Sequence, residues 1–175
     1  SFTMAHLKDE GMIATSEIAT KIADFTYSKY MRDTRQALKD FDDGKDSMLI
    51  DDMVNMNIML TGMVSDLSTG GKQLAVAHNF YDAVCCMYKD VRRKYLHGEI
   101  VAMALPLQLA VNGRPEAEIE ELKAFLREVG IPVSIREAGV PQDGLEELIT
   151  YVHRVTIPDD MELLEQIRDG FKYIM

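Results

Sequence analysis

The chain has 175 residues, of which 47% are hydrophobic and 27% are charged, so it is long enough to bury a core and too apolar for a disordered segment. Its net charge of −10 argues against binding to nucleic acid or to an anionic membrane surface. The longest apolar run, residues 100–111, is too short to span a bilayer.

The chain begins with a segment that carries no clear structural pattern. Residues 1–14 are predicted to be an N-terminal extension whose first three residues are a cloning remnant, and residues 15–175 are predicted to form a single domain.

Apolar residues recur at helical spacing over most of this domain. The spacing predicts helices over about residues 16–41, 47–64, 72–89 and 97–111, with residues 90–95 as a connection. Terminal signals predict three more, over about 115–129, 143–152 and from Pro158 towards the C-terminus. Because no segment alternates as a strand does, we predict an all-α fold, a single helical bundle of about seven helices.

Three sequence features refine this prediction. The helix of residues 97–111 is apolar on every side, so it should be central, with a kink at Pro106. The methionines of residues 48–63 are expected to belong to the core. Cys85 and Cys86 are adjacent and are expected to be buried thiols of a cytoplasmic protein.

The sequence lacks the residues that common nucleotide-binding and calcium-binding motifs require. Gly70-Gly71-Lys72 lacks the earlier glycine and the following Ser or Thr of a phosphate-binding loop. The acidic run of residues 40–44 lacks the terminal ligands of a calcium loop and is predicted to be a solvated turn. No G-x-G-x-x-G is present, which argues against a dinucleotide fold within this sequence.

His78 and His97 are the strongest candidates for chemistry. His78 falls within a predicted helix with Asp82 one turn later, and His97 opens the apolar helix. If the two helices pack antiparallel, both imidazoles converge, and two imidazoles with an oxygen ligand suit zinc or ferrous iron. Asp82 and Glu99 are candidates to accept a hydrogen bond from the imidazole nitrogen that does not face the metal. On spacing alone, two histidines without a metal are the commoner arrangement.

Two motifs carry a family resemblance. The segments STGGKQLAVAHN (68–79) and LHGEIVA (96–102) resemble the C-terminal helical domain of the glycerol dehydrogenases and iron-containing alcohol dehydrogenases, within the dehydroquinate synthase-like superfamily. The segment EIEELKAFLREVGIP (118–132) is similar to the glycerol dehydrogenase pattern, and the likeness runs from about residue 15 to the C-terminus. The dehydroquinate synthases carry a similar His-Gly-Glu segment.

The resemblance implies that His78 and His97 bind a divalent metal, zinc or iron, which polarises the hydroxyl of a small alcohol or polyol while hydride passes to NAD. In the family, NAD binds to an N-terminal domain and an aspartate supplies a third metal ligand. We expect both to be missing from this chain, which should then be inactive alone, and we assign no catalytic or cofactor-binding residue. His6 and His153 are expected to lie at a loose terminus and at an exposed helix end.

Two alternatives stay open. The chain is either a noncatalytic helical interaction module derived from that family, with its methionines facing a partner, or a fragment of a dehydroquinate synthase-like lyase. In any of these cases, apolar surface left uncovered is expected to favour a homo-oligomer.

Overall fold

The computed structural model describes residues 14–67 and 75–175, which form two compact helical units. We call residues 14–67 the N-terminal unit and residues 75–175 the C-terminal unit. No strand occurs in these two ranges, and the predicted all-α class is confirmed. Apart from Ala14, the predicted extension of residues 1–14 lies outside the described residues, as does Gly70-Gly71-Lys72.

The N-terminal unit is one long helix with a second, interrupted helical segment packed on it. Helix α1 spans Ala14–Asp42, α2 spans Met48–Asn55, a π-helical turn spans Met56–Leu60, and α3 spans Thr61–Leu67. Both α2 and α3 pack against α1. The Tyr30 hydroxyl of α1 donates to Asn57 Oδ1 at 2.6 Å, which ties the π turn to the long helix.

A buried carboxylate fixes the corner between α1 and α2. Asp40 accepts hydrogen bonds from Gln36 Nε2 and from Ser47 Oγ, both at 2.8 Å. Ser47 also caps α2, because its Oγ accepts the Leu49 N–H. The bonds from Ser47 and Gln36 hold the pKa of Asp40 below its ordinary value. The acidic run is therefore not wholly solvated, since its first member organises the turn.

The methionines of this unit do not form the predicted core. Only Met56 among the five at positions 48, 53, 56, 59 and 63 is buried, whereas Met48 is 88% exposed and Met59 is 61% exposed. A π turn lies inside the segment, so an α-helical period carried across it misplaces Met59 and Met63. Met48 precedes the π turn and is exposed at the start of α2. Ile58 is 70% exposed beside Met59, which leaves an apolar surface on this unit.

The C-terminal unit contains the remaining helices. They are α4 (Val76–Met87), α5 (Lys89–Lys94), α6 (His97–Met103), α7 (Leu105–Val111), α8 (Glu116–Glu128), α9 (Ile135–Ala138), α10 (Leu145–Thr156) and α11 (Met161–Gly170), with short 3-10 turns at Gln142–Gly144 and Phe171–Tyr173. Helix α4 packs against α6, α7 and α10, and α7 packs against α8 and α11. The described helices include none long and apolar enough to cross a membrane.

The apolar run lies at the centre of this unit, as predicted. Ile100, Met103 and Leu107 are fully buried. The run is divided at Ala104, and Pro106 stands in the first turn of α7, where its missing N–H costs no helical hydrogen bond. The predicted kink is thus a break between two helices.

One predicted connection and one predicted helix start were wrong. Residues 90–95 are largely helical, because Asp90 in the first turn of α5 and three basic residues in its last turn complement the helix dipole. The last helix begins at Met161 rather than at Pro158, and the Asp160 side chain caps it by accepting the Leu163 N–H.

Two side chains differ in burial from their predictions. His153 is only 6% exposed rather than lying at an exposed helix end, because its Nε2 lies 2.7 Å from the Asp160 carbonyl oxygen of the loop that folds back over it. Cys85 is half-buried but Cys86 is exposed, since neighbouring residues of a helix point in different directions. Both thiols are free.

Candidate metal centre

The structure brings the two predicted imidazoles together. His78 lies in the first turn of α4, and His97 is the first residue of α6. Their ring centroids are 5.5 Å apart, with 49° between the ring planes. Because α4 packs against α6, residues nineteen positions apart in sequence meet at the ends of two neighbouring helices.

This separation suits two ligands of one metal ion. Two imidazole nitrogens at the usual zinc distance and at a tetrahedral angle place the ring centroids about 5 Å apart. Burial lowers the pKa of the half-buried His78, and neighbouring His97 lowers it further. Burial therefore favours the neutral imidazole at His78, which is the form that can bind a metal.

The donor set is incomplete within the described residues. No group of three or more His, Cys, Asp or Glu side chains there is arranged to hold a metal ion. A closed zinc site needs four ligands and a catalytic one usually takes three from the protein. The described part of the chain brings two imidazoles together at this place, fewer donors than either kind of site needs.

The two predicted supporting carboxylates take different positions. Glu99 Oε2 accepts the backbone N–H of Leu96 at 2.6 Å, so this side chain caps the start of α6 and fixes the turn that carries His97. Asp82 lies on α4, one turn after His78, and its charge raises the pKa of His78 against the effect of burial. Glu99 thus acts on the backbone, and Asp82 acts through its charge.

A tyrosine that was not among the predicted site residues packs against His97. The Tyr81 ring meets the His97 ring edge to face, with centroids 4.4 Å apart and 82° between the planes. The Arg92 guanidinium lies 5.6 Å from the centroid of the Tyr81 ring. Tyr81 follows His78 by three positions, so both side chains share one face of α4 and both contact His97. The spacing of three positions from His78 is the signal in the sequence that could have selected Tyr81.

Comparison with known proteins agrees with this fold. No protein-family model matches the chain. A glycerol dehydrogenase of Thermotoga maritima is 33% identical over 82 residues, which are 47% of this chain and 21% of that protein.

Two solved structures resemble the chain over most of its length. A probable glycerol dehydrogenase from Sinorhizobium meliloti superposes with a TM-score of 0.70 and 23% identity, over 89% of this chain and 44% of that one. The glycerol dehydrogenase of Schizosaccharomyces pombe superposes with a TM-score of 0.71 and 19% identity, over 90% of this chain and 42% of that one. At these identities the structures establish the fold.

The resemblance to the glycerol dehydrogenases is confirmed. The glycerol dehydrogenase-like chain spans less than half the length of each of these three proteins. Its histidine pair belongs to the C-terminal unit.

Proposed function

We propose that this chain is the metal-binding helical part of an NAD-dependent alcohol or polyol oxidoreductase of the glycerol dehydrogenase type. The observation that carries the proposal is the pair of imidazoles from α4 and α6, whose ring centroids are 5.5 Å apart in a fold shared with glycerol dehydrogenases. Its sequence likeness to a curated glycerol dehydrogenase supports the reaction class.

His78 and His97 would hold the metal, zinc or iron. A divalent ion there would supply Lewis acidity, which polarises a substrate hydroxyl. The chain's own residues place the two nitrogens: Glu99 fixes the first turn of α6, and Tyr81 packs against the His97 ring. NAD would bind to a dinucleotide-binding domain, and an aspartate would supply the remaining metal ligand, both outside these 175 residues.

Metal binding can be tested on the chain as it is. Zinc or cobalt titrated into the chain should bind weakly, because two imidazoles leave coordination incomplete. His78→Ala and His97→Ala should each remove this binding, whereas His153→Gln, which keeps a donor for the Asp160 carbonyl, should retain it. Equal metal content in all four proteins would contradict the proposed pair.

Activity measurements can test whether the chain needs a separate cofactor-binding domain. With glycerol and NAD, the chain alone should form no NADH, since it would lack the cofactor-binding domain. Adding a separately produced dinucleotide-binding domain of a glycerol dehydrogenase should restore NADH formation, and His97→Ala should abolish it. Oxidation of glycerol by the chain alone would refute this requirement.

A noncatalytic interaction module is the second candidate, because Met48, Ile58 and Met59 are exposed rather than packed. On either view we propose that the chain associates with itself through uncovered apolar surface. We also place the protein in the cytoplasm, where two free cysteines are stable.

A further inference from the structure

One polar side chain is buried within the apolar centre of the C-terminal unit. Gln108 of α7 is only 1% exposed, among neighbours such as Leu107 and Val111 that are also buried. A buried carboxamide without hydrogen bonds would destabilise the fold, so its partners show what the residue does there.

The Gln108 carboxamide caps a helix distant in sequence. Its Oε1 accepts the backbone N–H of Ala77 at 3.2 Å, across thirty-one positions. Ala77 lies in the first turn of α4, where helical N–H groups have no partner within the helix, and the N-cap residue Ala75 has no side-chain oxygen to offer. Gln108 therefore supplies from α7 the cap that α4 cannot supply for itself.

The orientation of this carboxamide is also fixed. Gln108 Nε2 donates to Asn112 Oδ1 at 3.3 Å, one turn further along α7. Rotating the amide by half a turn would place a donor against the Ala77 N–H and an acceptor against Asn112 Oδ1. The acceptor is thus held towards α4.

The capped peptide is next to the metal-binding candidate. His78 directly follows Ala77, and α7 follows α6, which carries His97, after the single residue Ala104. One side chain thus connects the helix that bears one imidazole to the helices that bear the other.

We infer that Gln108 is a positioning residue for the histidine pair, because its hydrogen bond to Ala77 sets the start of α4 and so the distance from His78 to His97. This inference rests on the proposed metal-binding function for its significance. The geometry that it concerns is present without any metal.

The first test is therefore made on the metal-free full chain by NMR. Gln108→Met, which keeps the volume but removes the acceptor, should speed hydrogen exchange of the Ala77 amide on the order of tenfold and remove the nuclear Overhauser effect between the two imidazoles. Val111→Ala, a destabilising control on the same helix, should keep both wild-type signals. If Gln108→Met also keeps the Overhauser effect, the inference is overturned.

A second variant covers the case in which Gln108→Met does not fold. Gln108→Glu keeps an acceptor for Ala77, and Asn112 can turn its amide to donate to the carboxylate. This variant should retain the inter-ring Overhauser effect, and its loss in a folded protein would overturn the inference.

Zinc titration then separates the two proposals. Gln108→Met should bind zinc on the order of tenfold more weakly than wild type, as for other residues that orient metal ligands, whereas Val111→Ala should bind as wild type does. If the wild-type chain binds no zinc, the proposed function fails, and the NMR result still decides the role of Gln108. If Gln108→Met and wild type bind zinc equally, the positioning role is refuted.

Discussion

A contact between a tyrosine and a glycine gives a sharp test of packing in the C-terminal unit. Tyr88, at the end of α4, has a buried hydroxyl with no hydrogen-bond partner among the described residues. This hydroxyl lies against Gly144, the residue before α10. A Cβ at Gly144 would overlap Tyr88 Oη and lie 3.4 Å from Tyr88 Cζ.

These distances set the expected free energies. Gly144→Ala should cost about 1–3 kcal/mol, because the new methyl overlaps a buried hydroxyl that must move. Tyr88→Phe should stabilise the unit by about 1 kcal/mol, since it removes a buried polar atom without a partner. In the double variant, the atom of residue 88 nearest to the new Cβ of residue 144 is Cζ, at 3.4 Å, which is ordinary van der Waals contact. The cost of Gly144→Ala should then nearly vanish, which gives a coupling energy of about 1–3 kcal/mol.

The assay is urea unfolding of the two single variants and the double variant, followed by far-ultraviolet circular dichroism. Tyr151→Phe is the matched control, because its hydroxyl lies on α10, 3.4 Å from Cys86 Sγ, and should add no coupling to Gly144→Ala. The reasoning is refuted if Gly144→Ala costs the same in the Tyr88→Phe background as in wild type.

Three further predictions concern the site, the pH dependence and the exposed surface. Tyr81→Leu should weaken zinc binding by about twofold to tenfold, the worth of one aromatic contact to His97, while Tyr81→Phe should match wild type in the same titration. Asp40 has a lowered pKa, so its contribution to stability is complete above the ordinary value of 3.8 and is lost as the pH falls further. Thermal unfolding should therefore show wild type more stable than Asp40→Asn at about pH 6, with the difference shrinking below about pH 4; a constant difference would contradict this. Replacing Ile58 and Met59 with serine should lower self-association in sedimentation experiments, and unchanged association would place the interface elsewhere.

Helical class followed from the sequence because apolar spacing reports directly on which face of a helix is buried. The boundaries between the helices could not be predicted in the same way, because they depend on tertiary contacts. The break at Ala104 and the cap of α4 by Gln108 both involve groups that local spacing does not relate. The π turn was missed because it adds a residue without any distinctive residue type.

The histidine pair could be predicted from the sequence, but from motifs rather than from apolar spacing. Motif resemblance selected His78 and His97, and helix pairing suggested that they meet, which the ring separation of 5.5 Å shows. Burial of His153 could not be predicted locally, because its partner is a backbone carbonyl of the loop after its helix. Tyr81 could be recognised only once His97 was known to lie against α4.

The π turn at Met56–Leu60 also bears on how this fold tolerates changes of length. A π turn holds one residue more than the α-helical turn that it replaces. The helices on either side of it stay regular, and each keeps the same side chains against α1. Deleting one residue there should leave a regular helix, whereas a deletion within α2 or α3 would rotate every later side chain by about 100° about the axis. Insertions and deletions among related chains should therefore collect at this turn, and the anchor of Asn57 to Tyr30 marks the residue most expected to be kept.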